Sequence, residues 1–259
     1  MRVNGRDRVR NAIYGSRLYD PVRNIYQALF DREVFRVRLR MRKFYGQFFR
    51  GGELVFDIGA NVGEYSDVFS ALGAIVVAVE PNPSCCQSLF KLARMRNIRV
   101  EGCAVGSVAG SANLRVCDSS ALSTVSDDWV ESSRESATYQ NVRWLERIQV
   151  PMVTPDLLAK RHGVPAFVKI DVEGYEENVV KGMSFNPKYL SFEFSNVRRD
   201  GALHCIDLLG KRGYEFNPML SRDFVLQFSN WKTDGETIDW LREYDGEAEF
   251  GDIFARHSR

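Results

Sequence analysis

From residue 53 onward, apolar runs of strand length alternate with segments whose apolar positions recur at helical spacing. ELVFDI (53–58) is a short apolar run ending in a carboxylate and followed by the glycine turn GANVG; a helix to about Leu72 follows, stopped by Gly73. AIVVAV (74–79) is a second buried-strand run, ending at Glu80. Asn82 then stands as a helix cap with Pro83 at the first helical position. Along that helix Cys86, Leu89, Phe90 and Ala93 share one face. A third strand is expected at about 98–104, and 112–117 reads as an antiparallel ribbon outside the main sheet.

Residues 118–148 are polar, Ser-rich and weakly patterned, as lids and binding loops are. QVPMV (149–153) returns as an extended segment, and a helix from about Asp156 ends near Gly163. AFVKID (166–171) and YLSFEF (189–194) are the next strands, with a short helix at Tyr175–Lys181 between them, closed by Gly182. The remainder reads as a helix (about 200–212), strands at 214–217 and 223–228, an acidic Trp-bearing stretch (229–247) and a last strand at 250–255. This βαβα order predicts an α/β sandwich: a mostly parallel sheet with helices on both faces.

In such sheets ligands bind outside the carboxyl ends of the strands, and the chemistry-bearing residues fall there. The first strand is followed by Asp57-Ile-Gly59-Ala-Asn61-Val-Gly63. The glycines let the backbone turn sharply and come close to a ligand, and the next helix points free amides at it. This is not the GxGxxG of a dinucleotide fold, which disfavours a nicotinamide oxidoreductase. An acid at the mouth suits a cationic amino-acid group better than a pyrophosphate. Glu80, after the second strand, is placed to accept hydrogen bonds from both hydroxyls of a ribose. The bland alternative is a tight turn and a solvated strand end.

Together Asp57, Gly59, Gly63 and Glu80 resemble the cofactor site of class I S-adenosylmethionine-dependent methyltransferases. VFDIGANVGEYS (55–66), VVAVEPNP (76–83), CAVGS (103–107), TPDLL (154–158), VKIDVEGYEENVVKGM (168–183) and SFEFS (191–195) follow one another in the order of the FkbM family. The resemblance spans about residues 50–255, with KIDVEG its most specific piece. It implies a Rossmann-like fold with a seven-stranded, mostly parallel sheet and an antiparallel C-terminal strand. It also implies S-adenosylmethionine as cofactor, with Asn61, Pro81 and Ala104 joining Asp57, Gly59, Gly63 and Glu80 around it. The implied acceptor is a hydroxyl of a small molecule, sugar or glycan. One departure is visible: Thr154-Pro155-Asp156 stands where the family usually reads Thr-Leu-Asp, which puts the geometry before Asp156 in question.

Methyl transfer from a sulfonium needs the acceptor oxygen in line with the methyl carbon and a base for the hydroxyl proton. Asp171, at the carboxyl end of its strand, is the first candidate for base or substrate anchor. Strand alternation places Lys169 on the same side. Lys169 is a second candidate, as base if burial lowers its pKa, or as a structural ion-pair partner of Asp171 or Glu173. Glu173 sits before a helix start and reads as a cap. Glu193 lies between Phe192 and Phe194 and is expected to face the site. Asp171, Glu193 and Asn196 are types that bind Mg²⁺, but nothing fixes their spacing, and no metal site is assigned. His204 reads as solvated or packed.

Composition changes this picture in one respect. The net charge of +1 hides a split: residues 1–50 carry a net +9 and residues 51–259 a net −8. The chain reads as a basic helical N-terminal segment (1–50) joined to an acidic methyltransferase domain (51–259). In the segment, Ile25, Leu29, Val34, Val37, Met41, Phe44 and Phe48 have helical spacing, with arginines opposite. The leading expectation is packing on the body over the cofactor or substrate cleft; peripheral contact with an anionic membrane is the second. A non-catalytic module of the same fold that binds an anionic partner through this segment is the rival reading. No nucleic acid is expected, since an Asn/Asp-Pro-Pro-aromatic tetrapeptide and a Pro-Cys pair are lacking. The N-terminus has no apolar core of a secretory signal, and Cys85, Cys86, Cys103, Cys117 and Cys205 have no CxxC spacing. A soluble cytoplasmic protein with buried free thiols is the expectation. The acceptor should be chosen by residues 118–148 and 229–247, whose Trp129, Tyr139, Trp144 and Trp231 could stack on a ring or merely pack.

Overall fold

The protein was analysed as a computed structural model that describes residues 32–136, 139, 142–196 and 199–258. The expectations for residues 1–31, including Ile25 and Leu29, lie outside the described residues. Helix α1 (Arg32–Tyr45) leads into β1 (Leu54–Ile58), α2 (Glu64–Ala71), β2 (Ile75–Val79), α3 (Pro83–Ala93) and β3 (Ile98–Glu101). Then come β4 (Ala104–Val105), β5 (Gly110–Cys117), a 3₁₀ turn (Ser120–Leu122), α4 (Asp127–Glu135), β6 (Trp144–Val153) and α5 (Pro155–His162). β7 (Phe167–Ile170), α6 (Glu176–Lys181), β8 (Tyr189–Ser195), α7 (Asp200–Gly210), β9 (Tyr214–Leu220), α8 (Asp234–Glu243) and β10 (Phe250–His257) complete the chain.

The main sheet has seven strands in the order β3-β2-β1-β7-β8-β10-β9, and β10 runs antiparallel to both neighbours. Apolar side chains on both faces of β1, β2 and β7 explain their continuous hydrophobic runs, because helices cover each side. β4, β5 and β6 form a separate three-stranded sheet, so the ribbon expected at 112–117 does lie outside the main one. The expected third strand is divided: β3 stays in the main sheet, and Ala104–Val105 crosses to pair with β6.

Other expectations need correction. Residues 223–228 are not a strand; Asn217 instead holds the segment by accepting from Phe228 N at 3.0 Å and donating to its carbonyl at 2.8 Å. The stretch 118–148 is not irregular throughout, since α4 is capped by Ser126, whose side chain accepts from Trp129 N. Phe90 points to solvent, 55% exposed, while Leu89 is fully buried. Thr154-Pro155 turns out to be a regular helix start: Thr154 caps α5 and Pro155 occupies its first turn, where a missing N–H costs nothing.

α1 brings Met41, Phe44 and Tyr45 into the core, and Phe48 and Phe49 follow just after it. Phe48 stacks on Phe254 with centroids 4.7 Å apart and on Phe167 at 5.7 Å. Its arginines are not all solvated. Arg38 meets Asp67 of α2 at 2.6 Å, and Arg96 reaches the other oxygen of the same carboxylate at 2.6 Å. No helix among the described residues is long and apolar enough to cross a membrane.

Candidate active site

The chain runs outward from β1 to β3 and returns beside β1 as β7, so the sheet order reverses between these two strands. A crevice is expected at that switch point, beyond the carboxyl ends, and a cavity of about 250 Å³ opens there. Ile58–Val62 line it from β1, Val79–Pro81 from β2, Cys103–Val105 from the crossing to the second sheet, and Asp171–Glu173 from β7. Its far wall holds Glu193 of β8, Asp252 of β10, Ser221 and Arg222. No residue of α1 lines it, so the described part of the basic segment braces the body rather than covering the cleft.

The glycine turn is built for close approach. Gly59 has φ +84°, and a Cβ there would sit 1.6 Å from the carbonyl oxygen of Asp171. Asn61 also has a positive φ of 47°. Its side-chain oxygen accepts from Ser120 Oγ at 3.0 Å and from Cys85 Sγ at 3.1 Å. Glu80 is anchored by both oxygens: Asn61 N donates to one and Asn82 N to the other, each at 2.8 Å. Burial pushes its pKa up to about 7 against these two hydrogen bonds. Each oxygen keeps a lone pair for a ligand hydroxyl.

Gly59, Asn61, Glu80, Pro81 and Ala104 therefore meet at one cavity wall, whereas Asp57 and Gly63 stand behind it. Asp57 is 1% exposed and accepts from Ser66 Oγ at 2.6 Å. Burial raises its pKa, while Lys169 and Ser66 pull it down. Gly63 begins α2 with φ +92°, and a Cβ there would meet Leu89 at 2.7 Å.

Lys169 is 1% exposed; its ammonium lies 2.6 Å from Asp171 and 4.2 Å from the centre of the Tyr65 ring. Burial disfavours its charge, yet Asp171, Asp252, Tyr65 and Asp57 together raise its pKa well above the lysine range. The lysine stays protonated, so the condition for its acting as a base is not met. Glu173 does not cap the helix as expected; α6 has no side-chain cap, and Glu176 instead ties down the preceding loop by accepting from Val172 N at 3.0 Å and Gly174 N at 3.2 Å. Glu173 has φ 54° and lines the cavity.

Carboxylate oxygens of Asp171, Glu173 and Glu193 all come within 4.8 Å of one another. Burial first, then the surrounding carboxylates, hold Glu173 and Glu193 well above the ordinary range. Asn196 is not in this group: it donates to Ala248 O at 2.8 Å and accepts from Arg199 at 3.1 Å. His204 sits on the surface beside Glu177, 3.2 Å away.

Sequence reasoning missed Asp252, Tyr65 and Arg222. Asp252 opens an antiparallel strand, whose start and not its end lies at the ligand side. Its signal was an acid next to an apolar run, the same cue that singled out Glu193. From the stretch expected to hold a lid or binding loop, Ser120, Ala121, Ser123, Thr124 and Val125 line the cavity. Ser120 binds Asn61, and Thr124 Oγ1 donates to Glu173 O at 2.7 Å. The aromatics pack instead of lining it: Trp129 is buried against Tyr139 and Trp144, and Trp231 lies on Tyr189 and Arg256. Residues 229–247 do not reach the cavity.

A doubly wound sheet with a glycine turn after β1 and an anchored acid after β2 defines an α/β fold whose ligand crevice lies at the switch point between β1 and β7. The chain belongs to the FkbM family of S-adenosylmethionine-dependent methyltransferases: the model of the methyltransferase FkbM domain matches residues 57–245. Among curated proteins, none matches the chain. It is similar to the solved structure of precorrin-6y C5,15-methyltransferase from Geobacter metallireducens GS-15, with 12% identity, 85% of this chain and 86% of that chain covered, and a TM-score of 0.45. An rRNA methylase from Streptococcus thermophilus is similar at 9% identity, covering 84% and 94%, with a TM-score of 0.42.

Proposed function

We propose that this methyltransferase transfers a methyl group from S-adenosylmethionine to a hydroxyl of a small molecule, sugar or glycan. The observation that carries this reading is the division of one cavity into two unlike ends. One end is a backbone cradle with a single anchored acceptor, Glu80. The other is lined by Asp171, Glu173, Glu193 and Asp252, with no histidine and no lysine ammonium free to act.

The cradle fits the cofactor. Gly59 leaves room where any side chain would collide, and Glu80 keeps lone pairs toward the cavity. Gly59, Asn61, Glu80, Pro81 and Ala104 would hold the nucleoside, and Asp57 would set the turn from behind. When bound, S-adenosylmethionine supplies an electrophilic methyl group. The chain's own part is to orient the acceptor and receive its proton. Asp171 stands at the carboxyl end of β7 with one oxygen fixed by Lys169, leaving the other to accept from an acceptor hydroxyl. The 118–126 segment, which lines the crevice, would shield the reacting groups from water.

The acidic end supports a neutral or cationic acceptor and opposes a polyanion. Arg222 is the cation among the described lining residues of that wall, and it pairs with Glu64 at 2.8 Å. Mass spectrometry of metabolites and surface glycans from cells with the intact protein and with Asp171→Asn tests the reading. A product heavier by one CH₂ only with the intact protein supports it. A methylated nucleic acid would redirect it.

A further inference from the structure

Glu193 and Asp252 are directly opposed cross-strand partners in the β8–β10 ladder, so both side chains leave the sheet on the same face. Like charges at such a pair destabilise a sheet. Here both line the cavity, and Asp252 is only 7% exposed. No described residue donates a hydrogen bond to the carboxylate of Glu173, Glu193 or Asp252. Buried carboxylates without donors are costly unless paired with a cation.

Lys169 compensates for one charge of this group through Asp171. Arg222 is engaged with Glu64. Glu173, Glu193 and Asp252 form no ion pair with a described residue, although Lys169 and Arg222 act on Asp252 at longer range. The oxygens of Asp171, Glu173 and Glu193 lie within 4.8 Å of one another. Hard divalent cations hold oxygens at roughly 2.0–2.6 Å, so two ligands of one ion stand at most about 4.0–5.2 Å apart. An all-carboxylate donor set is the chemistry of Mg²⁺ or Mn²⁺, not of softer metals.

We infer that Asp171, Glu173 and Glu193 form a site for one divalent cation of the Mg²⁺/Mn²⁺ class, with the unpartnered Asp252 beside it. With the cation bound, the free oxygen of Asp171 would ligate it and meet the acceptor hydroxyl through the metal instead of directly, while Lys169 orients the other oxygen. The cation explains how a hydroxyl is activated where Lys169 is locked as ammonium and no histidine faces the cavity. A metal-bound hydroxyl loses its proton to solvent water far more readily than a free one. This inference rests on the methyl-transfer reading for its role, but not for its geometry.

The test is titration of Mn²⁺ into the full-length, chelator-treated protein, followed by electron paramagnetic resonance of free Mn²⁺, without cofactor. One Mn²⁺ per chain is expected, weakened at least tenfold by Glu193→Gln and several-fold by Asp252→Asn. Thermal scans and S-adenosylhomocysteine binding report whether each variant is folded, and Glu173→Gln replaces any that is not. Asp207→Asn, a surface change, should leave the titration unaltered. Absence of Mn²⁺ binding to a protein that binds S-adenosylhomocysteine overturns the metal site and leaves the methyl-transfer reading standing. Binding indifferent to Glu193→Gln and Glu173→Gln also overturns it. If neither Mn²⁺ nor S-adenosylhomocysteine binds, both readings fall.

Discussion

A Cβ on Gly59 would lie 1.6 Å from the carbonyl oxygen of Asp171. The turn after β1 and the segment after β7 therefore touch backbone to backbone, and the cofactor cradle and the acceptor end form one rigid piece. The contact exists only because residue 59 has no side chain and adopts φ +84°. Gly59→Ala should destabilise the protein by about 3 kcal/mol or more, from strain and overlap combined. Denaturant unfolding gives the loss, and cofactor binding should disappear even where the variant folds.

Lys169→Met removes the cation that pairs with Asp171 and acts at longer range on Asp252. Breaking a buried pair typically costs about 3–5 kcal/mol, and a fall of that size in urea-unfolding stability is expected. Because the lysine is held protonated, any residual activity of the variant should keep the wild-type basic limb, while the acidic limb shifts to higher pH as Asp171 loses its cation. A lost basic limb would show that Lys169 is the base after all.

Glu80 gives a pH dependence of definite sign. Its carboxyl is raised from 4.5 to about 7, and that of Glu176 likewise to about 7, mainly by burial. The folded chain holds these protons more tightly than the unfolded chain. Stability of the ligand-free protein should thus fall as pH rises from about 4.5 to 7 and be regained on acidification. Thermal unfolding at pH 5.5 and 7.5 checks this. Ligand binding should run the opposite way, because an ionised Glu80 is the better acceptor: S-adenosylhomocysteine affinity should rise with pH through about 7 and then level off.

α1 belongs to the aromatic core. Phe48 lies between Phe167 and Phe254, so Phe48→Ala should cost about 3–5 kcal/mol. A change within experimental error in the urea midpoint would show α1 to be an appendage. Arg40→Ala should cost far less, since Arg40 lies on the exposed side of the helix.

Side-chain period and strand-end chemistry made the sheet and the cradle legible in the sequence. β1, β2, β7 and β8 are rich in apolar residues because both their faces are covered, and Glu80 announces itself as the first charge after the apolar run of β2. The misreadings have local causes. α4 was hidden because Trp129 and Val130 are its buried apolar residues among polar ones. Asp57 has the residue type of a ligand contact, but Ser66 and Lys169 hold it inside the wall. Asp252 was passed over because β10 runs against its neighbours, which brings the strand's beginning to the cavity. Tertiary direction of this kind leaves no mark on periodicity.

The central claim is that the crevice between β1 and β7 binds S-adenosylmethionine through the Gly59 turn and Glu80. Calorimetric titration of S-adenosylhomocysteine into the full chain tests it most directly. The account predicts one site of micromolar order, weakened about ten- to hundredfold by Glu80→Gln as a charged hydrogen-bond acceptor is lost. A folded wild-type protein that takes up no ligand, or a Glu80→Gln variant that binds as tightly as wild type, would contradict it.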